Sequence, residues 1–273
     1  MSENASLPLV SVCMPIFNGG TYLVPAIRSV LEQSYANIEL RIFDDASTDG
    51  SWESLQQIRD PRLILERNAR NLGPEGNWNK ALGAARGKYI KLFHQDDLLR
   101  AGCLAAQVDA LERHPEAVLA FCRRDIIGPD GKKLLSRGAL WRDRLVGQAD
   151  MVRRCARAGT NVVGEPSAVL MRADIVAAVG AFDASIPYMV DLDYWVRMMA
   201  HGPGWSSDTA LAAFRVSPRQ WSAAIGAQQG RQFCQFLDRL AAGPLRGQWA
   251  LVRYGKARAR LNGVLRSLLY RFL

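Results

Sequence analysis

Lys88-Tyr89-Ile90-Lys91-Leu92-Phe93-His94-Gln95-Asp96-Asp97 follows Gly87 with a short, mostly apolar run, Tyr89–Phe93, and ends on two adjacent carboxylates. The run suits a buried strand. In an open α/β sheet, ligands bind beyond the carboxyl ends of the strands, which is where Asp96 and Asp97 fall. Carboxylates side by side repel one another, so a site that keeps both usually offers them a cation. A plainer alternative makes the pair the N-cap of a helix beginning near Leu98, because Asp is favoured there. The placement of the other acidic residues favours the cation.

Upstream, Leu9–Met14 reads as a first strand stopped by Pro15, and Asn18-Gly19-Gly20 as a turn. Within Tyr22–Gln33, the residues Leu23, Ala26, Ile27, Val30 and Leu31 recur at helical spacing. Ile38–Phe43 is a second strand that runs into Asp44-Asp45-Ala46-Ser47-Thr48-Asp49-Gly50. A helix over Trp52–Ile58, a third strand at Leu63–Glu66, the loop Asn71-Leu72-Gly73-Pro74 and a helix over Asn77–Ala85 lead back to Gly87. This strand–helix alternation predicts a mostly parallel sheet with helices on its faces.

Downstream, the pattern predicts a helix over Gly102–Arg113, a strand over Ala117–Cys122 and a hairpin turn at Gly128-Pro129-Asp130-Gly131. Val169–Met171 and an alanine-rich helix, Ala173–Val179, precede a second acidic cluster, Asp191-Leu192-Asp193. Leu192, Trp195 and Met199 share one face of a helix stopped by Gly202-Pro203-Gly204. Trp141–Gly147 has no clear pattern.

A chain of 273 residues, 49% hydrophobic, buries a full core and is most simply one domain with an appended segment. Five cysteines without close pairing offer neither a disulfide framework nor a zinc spacing, and suit a cytosolic protein. No signal peptide or membrane-spanning run is visible. The net charge of +9 points to anionic partners, while three histidines are too few for a histidine-based metal centre. No acidic residue follows Asp238, and Tyr254, Ala257, Leu261, Val264, Leu268 and Phe272 recur at helical spacing among Arg253, Lys256, Arg260 and Arg266. Such a helix lies on an anionic membrane or packs on the domain with a solvated basic edge; periodicity and charge fit both.

Asp44-Asp45 follows the second strand, Asp96-Asp97 the fourth, and Asp191 opens a late helix. In a doubly wound sheet the first two share an edge, where Pro15-Ile16-Phe17-Asn18 joins them. An aromatic and a carboxylate beside a cation site suit a nucleotide base and its diphosphate. No Gly-x-Gly-x-x-Gly follows strand one and no Walker loop is present, which counts against dinucleotide enzymes and P-loop NTPases.

In these pieces the chain resembles the family-2 glycosyltransferases of the GT-A fold, over residues 8–222. The matching segments are Val10–Asn18, Asp44–Gly50, Asn71-Leu72-Gly73, Gly87–Ile90, Gln95-Asp96-Asp97 and Asp191–Arg197, in this order. The resemblance implies a GT-A α/β fold over 1–222, with a nucleotide-binding half (1–97) and an acceptor half (98–222), followed by a basic helical appendage (223–273). It implies inverting transfer of a sugar from a nucleoside-diphosphate donor, UDP foremost, to a glycan or lipid-linked acceptor in cell-surface polysaccharide synthesis. Carried over by position, Pro15, Phe17, Asn18, Asp45, Asn79 and Asp96 contact the nucleotide-sugar, with Asp45 accepting from the base. Asp96 and Asp97 hold Mg²⁺ or Mn²⁺ against the diphosphate, Asp191 is the general base, and Trp195 is part acceptor-side wall, part core. Asp44 is a turn partner for Ser47 and Thr48, and Arg197 is structural. Two positions depart from the family pattern: His94, where an Asp is usual, and Ser217, where a His is usual and whose serine removes one metal or phosphate contact; His94 serves in packing or behind the site rather than as a weak ligand. The expected setting is cytoplasmic, with attachment to the inner membrane face through 244–273 as the open alternative. No nucleic-acid motif is present. The competing functions are a nucleotidyltransferase, which wants a basic phosphate loop that Asn18-Gly19-Gly20-Thr21 lacks, and a non-catalytic nucleotide-sugar binder, against which the intact carboxylates speak.

Overall fold

The computed structural model describes residues 7–138, 142–217 and 228–269. Strands β1 (Val10–Ile16), β2 (Ile38–Asp44), β3 (Leu63–Arg67) and β4 (Tyr89–Leu92) are parallel, in the order β3-β2-β1-β4. Helices α1 (Leu23–Leu31), α2 (Ser51–Leu55) and α3 (Gly73–Gly83) make the crossovers. Beyond β4 the sheet turns mixed. β9 (Val169–Arg172) pairs antiparallel with both β4 and β6 (Leu119–Ile127), and β6 lies parallel to β10 (Gly204–Arg215). Three short strands finish the sheet: β5 (Leu98–Leu99) and β8 (Arg144–Val146) on β10, and β7 (Lys133–Arg137) in a hairpin with β6.

Side-chain alternation feeds two cores. Val10, Val12, Met14 and Ile16 point with Leu40, Ile42, Tyr89 and Phe93 toward α1 and α4 (Cys103–Arg113). Cys13, Phe43, Ile90, Leu92, Leu119 and Phe121 point the other way. There they meet α3, α5 (Gln148–Ala158), α6 (Ala173–Val179), α7 (Val190–Met198) and two C-terminal helices, α8 (Gln229–Ala241) and α9 (Trp249–Leu269). Phe233, Phe236, Leu237, Val252 and Ala259 thus share a core with the sheet. The C-terminal segment follows the domain in chain order but belongs to it in packing. The expected boundary at 222/223 lies outside the described residues, as do Pro218 and Phe272.

Several expectations change. Pro15 does not end β1 but lies buried within it, in register with Phe43. Its missing N–H faces β4, whose pairing with β1 ends at Cys13↔Leu92. No helix begins at Leu98: that residue opens β5, so the Asp pair caps nothing. The helix read from Asn77 starts at Gly73 with Pro74 in its first turn, and the one read over Trp52–Ile58 is the shorter α2. Gly87 is needed as glycine, because a Cβ there would lie 2.6 Å from the Leu9 carbonyl oxygen and 2.7 Å from the Ser11 nitrogen.

Candidate active site

The carboxyl ends of β1, β2 and β4 deliver three loops to one edge, and side chains stitch the loops together. Asn18, in the left-handed region at φ 49°, donates its backbone N–H to Ser47 Oγ (2.9 Å), and its Oδ1 accepts from the Thr48 N–H (2.9 Å). The N–H of Gly19 donates to Ser51 Oγ (2.9 Å) and that of Gly20 to Asp49 Oδ2 (3.0 Å). Gln95 then grips Phe17 at both backbone atoms: Oε1 accepts from its N–H (2.8 Å) and Nε2 donates to its carbonyl (3.0 Å). The Phe17 ring stays 46% exposed at this junction, with Asn18 exposed beside it. Both leave surface where the resemblance places the nucleotide-sugar.

Asp44 is buried; it accepts from the Ser47 N–H and pairs with Arg67 Nε at 3.0 Å, as a turn residue does. Asp45, expected at the base, is hydrogen-bonded within the protein. Its Oδ1 accepts from Asn68 Nδ2 (2.7 Å) and the Leu72 N–H (2.8 Å), and its Oδ2 from the Gly73 N–H (3.0 Å). The residue is 2% exposed and its carboxylate organises the loop before α3. Pro15 is buried near the carboxyl end of β1. Asn79, expected at the nucleotide-sugar, pins α3 to the loop ahead of α7: Nδ2 donates to the Phe182 carbonyl (3.1 Å) and Oδ1 accepts from the Phe182 N–H (2.7 Å).

The two aspartates of the opening stretch separate. Asp97 is fully buried; Oδ2 accepts from Ser167 Oγ (2.6 Å) and Oδ1 from the Arg215 N–H (3.0 Å). Burial pushes its carboxyl up to about 6. A metal would have to displace these partners, so the ligand expectation moves to Asp96, which remains partly exposed. Arg215 holds this turn in place. Its Nε donates to the Asp96 carbonyl (2.9 Å), its Nη1 to the Gly128 carbonyl (3.0 Å), and its guanidinium lies 4.4 Å from the Tyr22 ring centre.

His94 joins the turn to the third acidic site. Its Nδ1 is 3.7 Å from Asp97 Oδ2, its ring leans on Trp78 at 5.0 Å, and its buried Nε2 has no hydrogen-bond partner. Burial works to lower its pKa, but the nearby Asp97 carboxylate and the charges of Asp96 and Asp191 leave it raised. Asp191, in the first turn of α7, is partly exposed. Its Oδ2 accepts from Asn161 Nδ2 (3.0 Å) and its Oδ1 from the Leu192 N–H (2.7 Å). Desolvation and the neighbouring charge of Glu165 push its carboxyl up to about 7, against a smaller pull from His94. Glu165 itself pairs with the buried Arg124, whose charge holds it below the usual range although burial acts the other way. A residue whose pKa lies near neutrality, beside a second carboxylate, has the profile of a general base.

Trp195, expected as part acceptor wall and part core, is fully buried. Its Nε1 donates to the Gly164 carbonyl (2.9 Å), which Asn161 also reaches, so it supports the Asp191 loop from below. Arg197 is structural as expected, bound to Asp193 and to the Val179 and Ala181 carbonyls. Glu165, Arg124, Asn161, Ser167 and Arg215 are the residues that sequence reasoning left without a role. They stand singly in stretches without periodicity, and only the crossing of β6, β9 and β10 gathers them.

Among the described residues no three His, Cys, Asp or Glu side chains converge to hold a metal by themselves. A hard divalent ion nonetheless fits the donors present. One accessible carboxylate, Asp96, is the protein share that Mg²⁺ or Mn²⁺ takes when substrate phosphates and water complete its shell.

The model of glycosyl transferase family 2 matches residues 11–177, more than half of the chain and all of this edge except Asp191 and Arg215. The chain belongs to glycosyl transferase family 2. Among curated relatives of the family-2 chain, a Mycobacterium tuberculosis protein of uncharacterized activity is 34% identical over 206 residues, 73% of this chain and 64% of its own. The Escherichia coli UDP-Glc:alpha-D-GlcNAc-diphosphoundecaprenol beta-1,3-glucosyltransferase WfaP is 34% identical over 106 residues, 39% of this chain and 42% of its own. The family-2 chain thus spans less than two thirds of the length of these relatives. Among solved structures, Staphylococcus aureus TarS in complex with UDP superposes with TM-score 0.64 at 16% identity, covering 96% of this chain and 91% of that one. The Pyrobaculum calidifontis mannosyltransferase PcManGT, in complex with GDP-Man and Mn²⁺, gives 0.66 at 15%, covering 96% and 74%. The fold is therefore of the GT-A glycosyltransferase type, as expected.

Proposed function

We propose that this chain transfers a sugar from a nucleoside diphosphate, UDP foremost, to an acceptor hydroxyl with inversion at the anomeric carbon, in cell-surface polysaccharide synthesis. The observation that carries the reading is the joining of Asp191 to the 94–97 turn. Though it is remote in sequence, the 161–167 segment holds both: Asn161 Nδ2 donates to Asp191 Oδ2 (3.0 Å) and Ser167 Oγ to Asp97 Oδ2 (2.6 Å). Asp191 takes the proton of the acceptor hydroxyl as its oxygen bonds to the anomeric carbon, while the bond to the diphosphate breaks on the opposite face. Asn161 and the Leu192 N–H hold both carboxylate oxygens in place for that transfer, and Glu165 keeps the group basic enough to take a proton at neutral pH. Phe17 and Asn18 form the base and ribose wall, and Gln95 fixes it to the metal turn. Asp96 would hold Mg²⁺ or Mn²⁺, which supplies charge neutralisation for the departing diphosphate.

The donor proposal draws support from solved structures that carry UDP or GDP-mannose at this fold. A lipid-linked acceptor is supported by the relative named for a diphosphoundecaprenol-linked substrate. A panel of UDP-, GDP- and dTDP-sugars, each with Mg²⁺ or Mn²⁺, read by release of free nucleoside diphosphate, tests the reading. Release above the buffer rate from at least one donor, abolished in Asp191→Asn, is the expected result; no release from any donor would retire it.

A further inference from the structure

We propose that the outward face of α9 is a docking surface for an anionic lipid bilayer. The residues that pack this helix are small. A Cβ on Gly255 would lie 2.7 Å from the Ala156 carbonyl oxygen of α5, and one on Gly159, just past α5, 2.6 Å from the Ala259 nitrogen. On α8, a Cβ at Gly230 would come within 3.0 Å of the Ala259 carbonyl oxygen. The inward face is therefore Val252, Gly255, Ala259 and Gly263, held at backbone distance from two other helices. The stripe that the periodicity picks out as apolar faces the other way. Tyr254, Leu261, Val264 and Leu265 are 54%, 48%, 60% and 55% exposed, and Trp249 is 70% exposed.

A helix resting on a protein core normally turns polar groups to water. This one turns out an apolar ridge, Tyr254, Leu261 and Leu265, spaced by seven and four residues on one helical face. Exposed Arg253 and Arg260 flank the ridge on one side and Arg258 on the other. No acidic residue follows Asp238, and that one is paired with Lys256. An apolar ridge between arginines, with no compensating acid, matches the boundary between acyl chains and anionic headgroups, where arginine stems lie flat and their charge stays at the phosphates. Charge complementarity selects the bilayer over a second copy of this chain, whose identical arginines would meet these. No described helix is long and apolar enough to cross a membrane, so the contact is tangential. The inference stands on α9 alone and does not depend on the sugar-transfer reading, to which it adds a place of work.

The test is sedimentation of the full chain with vesicles of pure phosphatidylcholine or with a one-third share of phosphatidylglycerol, at low and high salt. Two surface variants accompany it, Leu261→Asp/Leu265→Asp and Arg253→Glu/Arg260→Glu, with circular dichroism to show that the fold is kept. The wild type should partition onto the anionic vesicles at low salt and release as salt rises. Each variant should partition at least tenfold less, with nucleotide release in solution unchanged. Absence of wild-type binding at low salt, or variants that bind as well as wild type, would overturn the proposal. So would a wild-type dimer, by light scattering, that both variants dissolve, because the face would then belong to a second copy. Nucleotide release separates this outcome from failure of the catalytic reading, since it reports on the sheet edge and not on α9.

Discussion

Replacing Asp191 by Asn should separate stability from catalysis. The carboxyl titrates at about 7 in the folded chain, against an ordinary value of 3.8, because burial and Glu165 disfavour its charged form. A raised carboxylate pKa means that folding opposes ionisation: the cost is absent below about pH 4, grows between the two values and is complete above about pH 7. At pH 8 it amounts to about 4 kcal/mol as a ceiling, with solvent at this partly exposed site reducing it. Asparagine carries no charge and still accepts from Asn161 or the Leu192 N–H. Asp191→Asn should therefore melt at a higher temperature than wild type at pH 8 and at the same temperature at pH 4, in scanning calorimetry. Turnover should move in the opposite direction. Loss of a general base lowers kcat by about 10²–10⁴-fold, read as nucleotide release at saturating donor, while donor Kd from calorimetric titration stays within about twofold of wild type. The wild-type rate should fall tenfold per pH unit on the acid side of a limb near pH 7. Glu165→Gln removes the like charge and should move that limb to lower pH. An Asn variant that keeps a tenth or more of wild-type turnover, or a limb that Glu165→Gln leaves in place, would refute the assignment.

Asp96→Ala should abolish the dependence of donor binding on Mg²⁺ or Mn²⁺ with little change in melting temperature. Asp97→Ala, which strands the Ser167 hydroxyl and the Arg215 N–H, should destabilise by about 2–4 kcal/mol in urea titrations; equal effects on metal dependence would return Asp97 to the ligand set. Trp195→Ala should cost about 3–5 kcal/mol as a cavity in the core, whereas an acceptor wall would instead raise acceptor KM at unchanged stability. Gly87→Ala should lose about 1–3 kcal/mol in the same titration, because its Cβ meets three backbone atoms that cannot move aside. Ala46, strained at φ 60°, should gain about 0.5 kcal/mol on change to Gly, the relief of the left-handed penalty less the added freedom of the unfolded chain.

The parallel half of the sheet was legible in the chain. Its strands are short, mostly apolar runs set off by Gly, Asn and Asp turns, with β1, β2 and β4 buried along their length, and that local pattern survives whatever packs around it. For the same reason Asp191 and the 94–97 turn stood out: acidic residues at strand ends or helix starts are conspicuous against apolar neighbours. Helix α9 was legible as an amphipathic period but not in its orientation, because the period cannot say whether bulky or small residues face inward. Only the near-contact of Gly255, Ala259 and Gly230 with neighbouring backbones decided that. Strand β10 went unread since Ser206, Ser207, Asp208 and Thr209 interrupt its apolar alternation, and its strand character comes from β6, β5 and β8 pairing with it. Above all, tertiary structure divided the carboxylates by what surrounds them. Asp45 and Asp97 resemble Asp96 and Asp191 as sequence, yet remote segments bury the first two and leave the other two partly exposed. Burial is a property of neighbours in space, which a linear order of residues does not contain.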